Sequence, residues 1–292
     1  MTREAPRRSA LNELGPDPNS GHGDLPGRGL WAGASGLFTF RGQGSPAAGV
    51  TVSITAAVLV LLVWEFASRM GWIAPQFLPS PTAVFGALWS MATEQNLVWH
   101  VAVSTGRVWT AFLLAAVMAI PIGILMSSYR IVGAALEPMV DFIRYLPVPA
   151  LVPLSIIWFG VGETTKIFLL WLGTFFQLVL LVADDMRRVP NEYVEVARTV
   201  GANSRQVMWD VALRSMGPTL LDNLRITLGW CWTYLIIAEI VASNSGIGYV
   251  IWQARRFVKT PEVMAGVVVI GLIGLVTDQL LRLLHRRLFR YL

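Results

Sequence analysis

Charge is scarce in this sequence. Only 14% of the 292 residues are Asp, Glu, Lys or Arg, where a soluble globular domain carries about 25%. The charges are missing from long continuous stretches. That pattern points away from a large soluble core and toward a lipid bilayer. Cysteine is almost absent, and the single Cys231 excludes a disulfide scaffold. Histidine is equally sparse: His22, His100 and His285 are too widely separated for a structural zinc site. No metal site is expected, and no clustered His, Cys or Asp suggests a catalytic site. With 54% hydrophobic residues and a mean hydropathy of +0.57, most of the chain is too apolar to be disordered. The net charge of +5 would suggest nucleic acid in a soluble protein. In a membrane protein it is the surplus of cytoplasmic arginine, so lipid and not nucleic acid is the expected environment.

Residues 1–49 differ from all that follows. They hold ten of the 26 glycines and five of the 16 prolines, which reads as a largely disordered cytoplasmic tail. No apolar run sits among them, so no cleavable signal sequence is expected at the start. From Val50 the composition changes abruptly, and residues 50–292 read as one membrane domain. Apolar runs of spanning length predict six transmembrane helices near 49–67, 106–127, 137–158, 166–184, 217–241 and 263–283. The fold class is therefore all-α, a polytopic membrane helical bundle. Pro147, Pro149 and Pro153 interrupt the third run. In the loop at 68–105, Pro79 and Pro81 force an extended entry to a short helix over Thr82–Ser90.

Basic residues set the orientation. With the N-terminus inside, fifteen arginines fall on cytoplasmic segments and five basic residues outside: Arg69, Lys166, Arg255, Arg256 and Lys259. Six spans then return the C-terminus to the cytoplasm, where Arg286, Arg287 and Arg290 fit.

The cytoplasmic loop at 185–216 is the most informative segment. Asn191 reads as an N-cap, with Glu192 placed in the first turn where it suits the helix dipole. Tyr193, Val196, Ala197 and Val200 fall at i, i+3, i+4 and i+7, one apolar face. Gly201 stops the helix, and the reversal there favours φ > 0. Asn203 caps a second helix, with Gln206 in the capping-box position. Periodicity alone allows two readings of this helix–turn–helix: an amphipathic pair resting on the bilayer or bundle, or a docking element for a soluble partner. Its tether between two spans disfavours a DNA reader.

One residue pattern makes the docking reading specific. Glu195, Val196, Ala197, then Gly201, then Val211, Ala212, Leu213 and Arg214 keep the full spacing of the EAA motif, Glu-Ala-Ala, three residues, Gly, nine residues, Ile-x-Leu-Pro. Val196 stands for Ala, Val211 for Ile and Arg214 for Pro. Pro218 is expected to take over the helix-breaking role. Leu78-Pro79-Ser80-Pro81, Arg144-Tyr145-Leu146-Pro147, Ile157–Glu163 and Ala238-Glu239-Ile240 add further matching segments. Over about 240 residues the sequence resembles binding-protein-dependent ABC importer permeases, in their nitrate, sulfonate, taurine and bicarbonate branch.

The resemblance implies a type I ABC importer permease fold in the bacterial inner membrane. It implies a second permease copy, most simply as a homodimer, and separate ATPase subunits coupled through Glu195, Ala197, Gly201, Val211 and Leu213. A periplasmic or extracellular binding protein would deliver a small anionic or zwitterionic solute. No cofactor is expected on the chain itself, because ATP would be bound by the partner subunit. The residues agree, since no G-x-x-x-x-G-K-[ST] occurs and Gly160–Lys166 misplaces its second glycine.

Charged residues in the spans are functional candidates by default. Arg107, Arg225 and Asp278 lie near predicted ends, where snorkelling or pairing inside the bundle suffices. Glu239 is a candidate for the outer mouth of a pathway or a gate lock. Pro147, Pro149, Gln177 and Asn223 are candidates for pathway lining. Asp184-Asp185 reads as a salt-bridged helix end beside Arg187 and Arg188. The competing class is a secondary transporter driven by an ion gradient, which would want paired acids in repeated halves. No internal repeat is found.

Overall fold

The structure is a computed structural model that describes residues 46–290, so the tail expected at 1–49 lies almost wholly outside the described residues. Every regular element among these residues is helical. The helices are α1 Pro46–Arg69, α2 Pro81–Glu94, α3 Leu97–Ser128, α4 Arg130–Arg144, α5 Val148–Phe159 and α6 Glu163–Arg187. There follow α7 Asn191–Thr199, α8 Ser204–Gln206, a π-helical stretch Val207–Ala212, α9 Leu213–Ala242, α10 Ile247–Arg256 and α11 Thr260–Leu288. The chain divides into two units, Met1–Val63 and Trp64–Leu292.

Among the described residues, five helices are long and apolar enough to cross a membrane, and a sixth crossing is available from the pair α4 and α5. That pair is bent by 99°, so the third span is not the continuous helix expected over 137–158. The reason is local. Pro147 supplies no N–H and pushes Leu146 before it out of the helical region, while Pro149 is tolerated in the first turn of the helix that restarts at Val148. The chain turns at Tyr145–Pro147 and restarts a helix with proline in its first turn. The second span starts earlier than expected, at Leu97, and the loop helix runs Pro81–Glu94 with Ser80 as its cap.

Within the second unit, α6 is the central helix, packed on one side by α3 and on another by α9. Small residues let α3 approach closely. Ala115 and Ala119 are fully buried and Gly123 continues their four-residue spacing. A Cβ on Gly123 would stand 2.7 Å from the Val179 carbonyl oxygen of α6. In lipid, where apolar burial drives helix pairing weakly, such close contact supplies the packing attraction. Trp64 and Ser68 tie the end of α1 to the following loop, donating to the Pro79 and Leu78 carbonyls at 3.1 Å each.

The second helix of the 185–216 loop is not a separate element. Ser204 to Val241 forms one helix 38 residues long, continuous with the fifth span. No glycine or proline lies between Ser204 and Met216 to stop it. Pro218 sits inside α9 without ending it, contrary to the helix-breaking role expected from sequence.

Candidate functional site

Two polar regions lie at opposite ends of the bundle. The first is the loop between α6 and α9. Its turn is built by the chain itself: Gly201 has φ +88°. Its N–H donates to the Arg198 carbonyl at 3.0 Å, and the Ala202 N–H donates to the Ala197 carbonyl at 3.0 Å. These two bonds are a Schellman motif, which satisfies the last carbonyls of α7. Asn203 and Gln206 then exchange side-chain and backbone hydrogen bonds at 2.9 Å, a complete capping box. Asn191 does not cap α7. Pro190 holds the cap position, Asn191 is already helical, and the cap makes no side-chain bond.

The apolar face of α7 divides in two. α7 packs on the π-helical stretch, and the buried residues of these two elements are Ala197, Val207 and Ala212. Val196 and Val200 point away, 64% and 80% exposed, with Tyr193 beside them on the same face. Glu195 is exposed, whereas Val211 and Leu213 are half-buried on the continuous helix.

The second region joins the starts of α3 and α6 to the end of α9 and the start of α10. Arg107 grips Glu163 through Nε and Nη2, both at 2.6 Å, the two-pronged geometry that suits a guanidinium and a carboxylate. Its Nη1 donates to Glu239 at 2.6 Å and to the Ser245 carbonyl at 2.8 Å. Lys166 adds a second cation on Glu163 at 2.8 Å. Glu239 also receives the Ser104 hydroxyl at 2.7 Å and the Gly248 N–H at 2.7 Å. The Gly246 and Ile247 N–H groups donate to His100 Nδ1 at 3.0 Å and Ser104 Oγ at 2.8 Å. The first amides of α10 are thus satisfied by three side chains from α3 and α9, and a carboxylate sits at the positive end of the helix.

Sequence reasoning flagged Arg107 and Glu239 but not their partners. Ser104, His100 and Ser245 carry no local signal. Glu163 and Lys166 lie in the segment dismissed as an ATP-site decoy, and their i,i+3 spacing was the available clue. Glu239 faces this network rather than an open passage. Asn223 also serves a buried partner, donating to Asp185 at 2.7 Å. The expected salt-bridged doublet is therefore split. Asp184 stands 3.7 Å from Arg187, which pairs mainly with Glu137 at 2.7 Å, while Asp185 is buried against Asn223. Arg225 pairs with both Asp222 and Asp278 at 2.9 Å, as a charge near a span end should. Pro147 and Pro149 lie at the exposed break between α4 and α5, and Gln177 lines a cleft next to it.

A long apolar helical bundle with a helix–turn–helix between two spans narrows the choice of family, and comparison with known proteins decides it. Residues 112–290 match the binding-protein-dependent transport system inner membrane component. The chain belongs to that family. It is a membrane-spanning permease subunit of an ABC importer. It is 36% identical over 244 residues to the taurine transport system permease protein TauC of Escherichia coli, covering 82% of this chain and 89% of that one. It is 32% identical to the putative aliphatic sulfonates transport permease protein SsuC of Bacillus subtilis, covering 80% and 84% of the two chains. Its fold matches a crystal structure of an amino acid ABC transporter with histidines, at a TM-score of 0.58 and 16% identity. That match covers 68% of this permease and 98% of the other chain. As in the family generally, the permease works with ATPase and substrate-binding partners.

Proposed function

We propose that two copies of this permease flank a pathway for a small anionic or zwitterionic solute of the nitrate, sulfonate, taurine or bicarbonate type. Each copy docks its 185–216 loop on a separate ATPase subunit, which binds the ATP. The permease itself carries no ATP site and no cofactor, and a periplasmic or extracellular binding protein delivers the solute. Both termini are cytoplasmic, in the inner membrane of a bacterium.

The observation that carries the docking assignment is the exposed apolar face of Tyr193, Val196 and Val200 on a helix held rigidly by Gly201 and the Asn203 capping box. An exposed apolar face on a rigid element beyond the spans marks a protein contact. Relatives named for taurine and aliphatic sulfonates support the solute class. A two-fold assembly is the simplest one that gives each member of an ATPase pair one loop.

Purification of the permease with its ATPase tests this reading by mass. Two permease chains per two ATPase chains are expected, and one permease chain per ATPase pair contradicts the assembly. Uptake that persists without ATP but collapses with the proton or sodium gradient would favour an ion-driven transporter.

A further inference from the structure

We infer that Arg144, Gln177, Trp230 and Tyr234 form a site for a small oxyanion headgroup, sulfonate or carboxylate, halfway through the membrane. This inference rests on the pathway reading above and adds the residues that hold the solute in transit.

The four residues line one small cleft of about 60 Å³, between the break of α4 and α5, the middle of α6 and the middle of α9. Gln177 lies fourteen residues after Glu163 and ten before Arg187, so at about 1.5 Å per residue it stands roughly 21 Å and 15 Å from the two ends of α6. Trp230 and Tyr234 occupy the corresponding middle of α9. The cleft is therefore deep, where an ionisable group is tolerated only if it faces protein or water.

Arg144 is held by its neighbours along one edge and keeps the other edge open. Its Nε stands 3.1 Å from Asp141, and its Nη2 donates to the Tyr145 hydroxyl at 3.0 Å. The guanidinium lies 4.6 Å from the centre of the Tyr145 ring, which fixes its plane. No acceptor among the described residues takes the Nη1 hydrogens. The side-chain groups of Gln177, Trp230 and Tyr234 likewise make no hydrogen bond among the described residues. A planar fork with free donors matches an oxyanion, and the indole, phenol and amide offer it further donors.

The cleft also depends on Gly173. A Cβ there would stand 2.6 Å from the Tyr234 ring, so only glycine lets that ring lie against α6. The 99° bend keeps Arg144 at the helix break, and broken helices at membrane depth occur where they line a cavity or are buried in protein.

The test uses the complete importer in lipid nanodiscs, with Gln177→Cys introduced into a Cys231→Ser background. An anionic and a cationic methanethiosulfonate reagent of similar size are compared. The anionic reagent is expected to react at least tenfold faster than the cationic one, after normalising to a free thiol, and excess taurine should slow it. Arg144→Gln should erase the preference, and Arg144→Lys should keep it. Equal rates, no reaction with either reagent, or a preference that survives Arg144→Gln would overturn the site. Transport separates this site from the docking reading. Arg144→Gln should lower taurine uptake about tenfold or more while binding-protein-stimulated ATP hydrolysis continues, because the docking loop is untouched. If the docking reading itself is wrong, Gly201→Val leaves both activities at wild-type level whatever Arg144 does.

Discussion

Arg107 Nη1 and Glu239 Oε1 stand 2.6 Å apart inside the bundle, with 3% and 0% of their side chains exposed. Removing Arg107 strands the Glu239 carboxylate out of water, at a cost of about 3–5 kcal/mol. Removing Glu239 leaves Arg107 its two bonds to Glu163 and orphans the Ser104 hydroxyl and the Gly248 N–H. Replacing both with apolar residues of similar volume strands neither charge. Glu163 would still hold Lys166 at 2.8 Å. Arg107→Met and Glu239→Leu should each lower the thermal midpoint of the purified protein clearly, and the double variant should recover part of the loss. Strictly additive losses in this cycle would mean the two side chains do not depend on each other.

Gly246 should be nearly as sensitive. Its φ is +106°, and a Cβ there would collide with the Glu239 carboxylate. Gly246→Ala therefore combines a backbone conformation that L-residues avoid with displacement of a buried ion pair. The expected result is a drop in thermal midpoint comparable to that of Glu239→Leu. Combining the two substitutions should cost less than their sum, because the displaced carboxylate is already gone. A wild-type midpoint for Gly246→Ala would contradict the packing described.

What the sequence made legible follows the range of the interactions. Gly201 and the Asn203–Gln206 box were readable because every partner lies within a few positions. The spans were readable because burial in lipid acts on composition alone. The start of α3 was missed because Gln95, Asn96 and His100 dilute the hydropathy there. The Arg107 network was missed for a deeper reason. Ser104 and Ile247 are 143 positions apart, and their contact depends on how helices rotate against one another. Hydropathy does not record that rotation. The division of the α7 face was hidden for the same reason: periodicity placed Ala197 and Val196 on one stripe, and only packing turned Ala197 inward.

Orientation in the membrane can be read with single cysteines. Ser90 belongs to the loop helix α2 and Ser204 to the start of α8. Cys231 is fully buried near the Val108 carbonyl, and Cys231→Ser can keep that contact through its hydroxyl. In that background, an impermeant thiol reagent on intact cells should label Ser90→Cys and spare Ser204→Cys. Labelling of Ser204→Cys alone would invert the topology and remove the loop from the ATPase side.

The turn at Gly201 separates a docking loop from an incidental surface helix pair. A Cβ at this position would meet nothing within 4 Å, so substitution there is penalised by the backbone alone. At φ +88° that penalty is about 1–2 kcal/mol for an ordinary L-residue. It is larger for a β-branched residue and small for Asn, which tolerates the left-handed region. The Schellman bonds at Ala197 and Arg198 would loosen in Gly201→Val, and the face of Val196 and Val200 would lose its fixed direction. The spans do not rely on this turn, so the protein should reach the membrane at a near-normal level. Gly201→Val should then lose binding-protein-stimulated ATP hydrolysis and uptake, whereas Gly201→Asn should retain most of both. Val196→Glu should resemble Gly201→Val by placing a charge in the contact, without disturbing the turn. Normal uptake in both Gly201→Val and Val196→Glu would leave α7 as a surface helix with no coupling role.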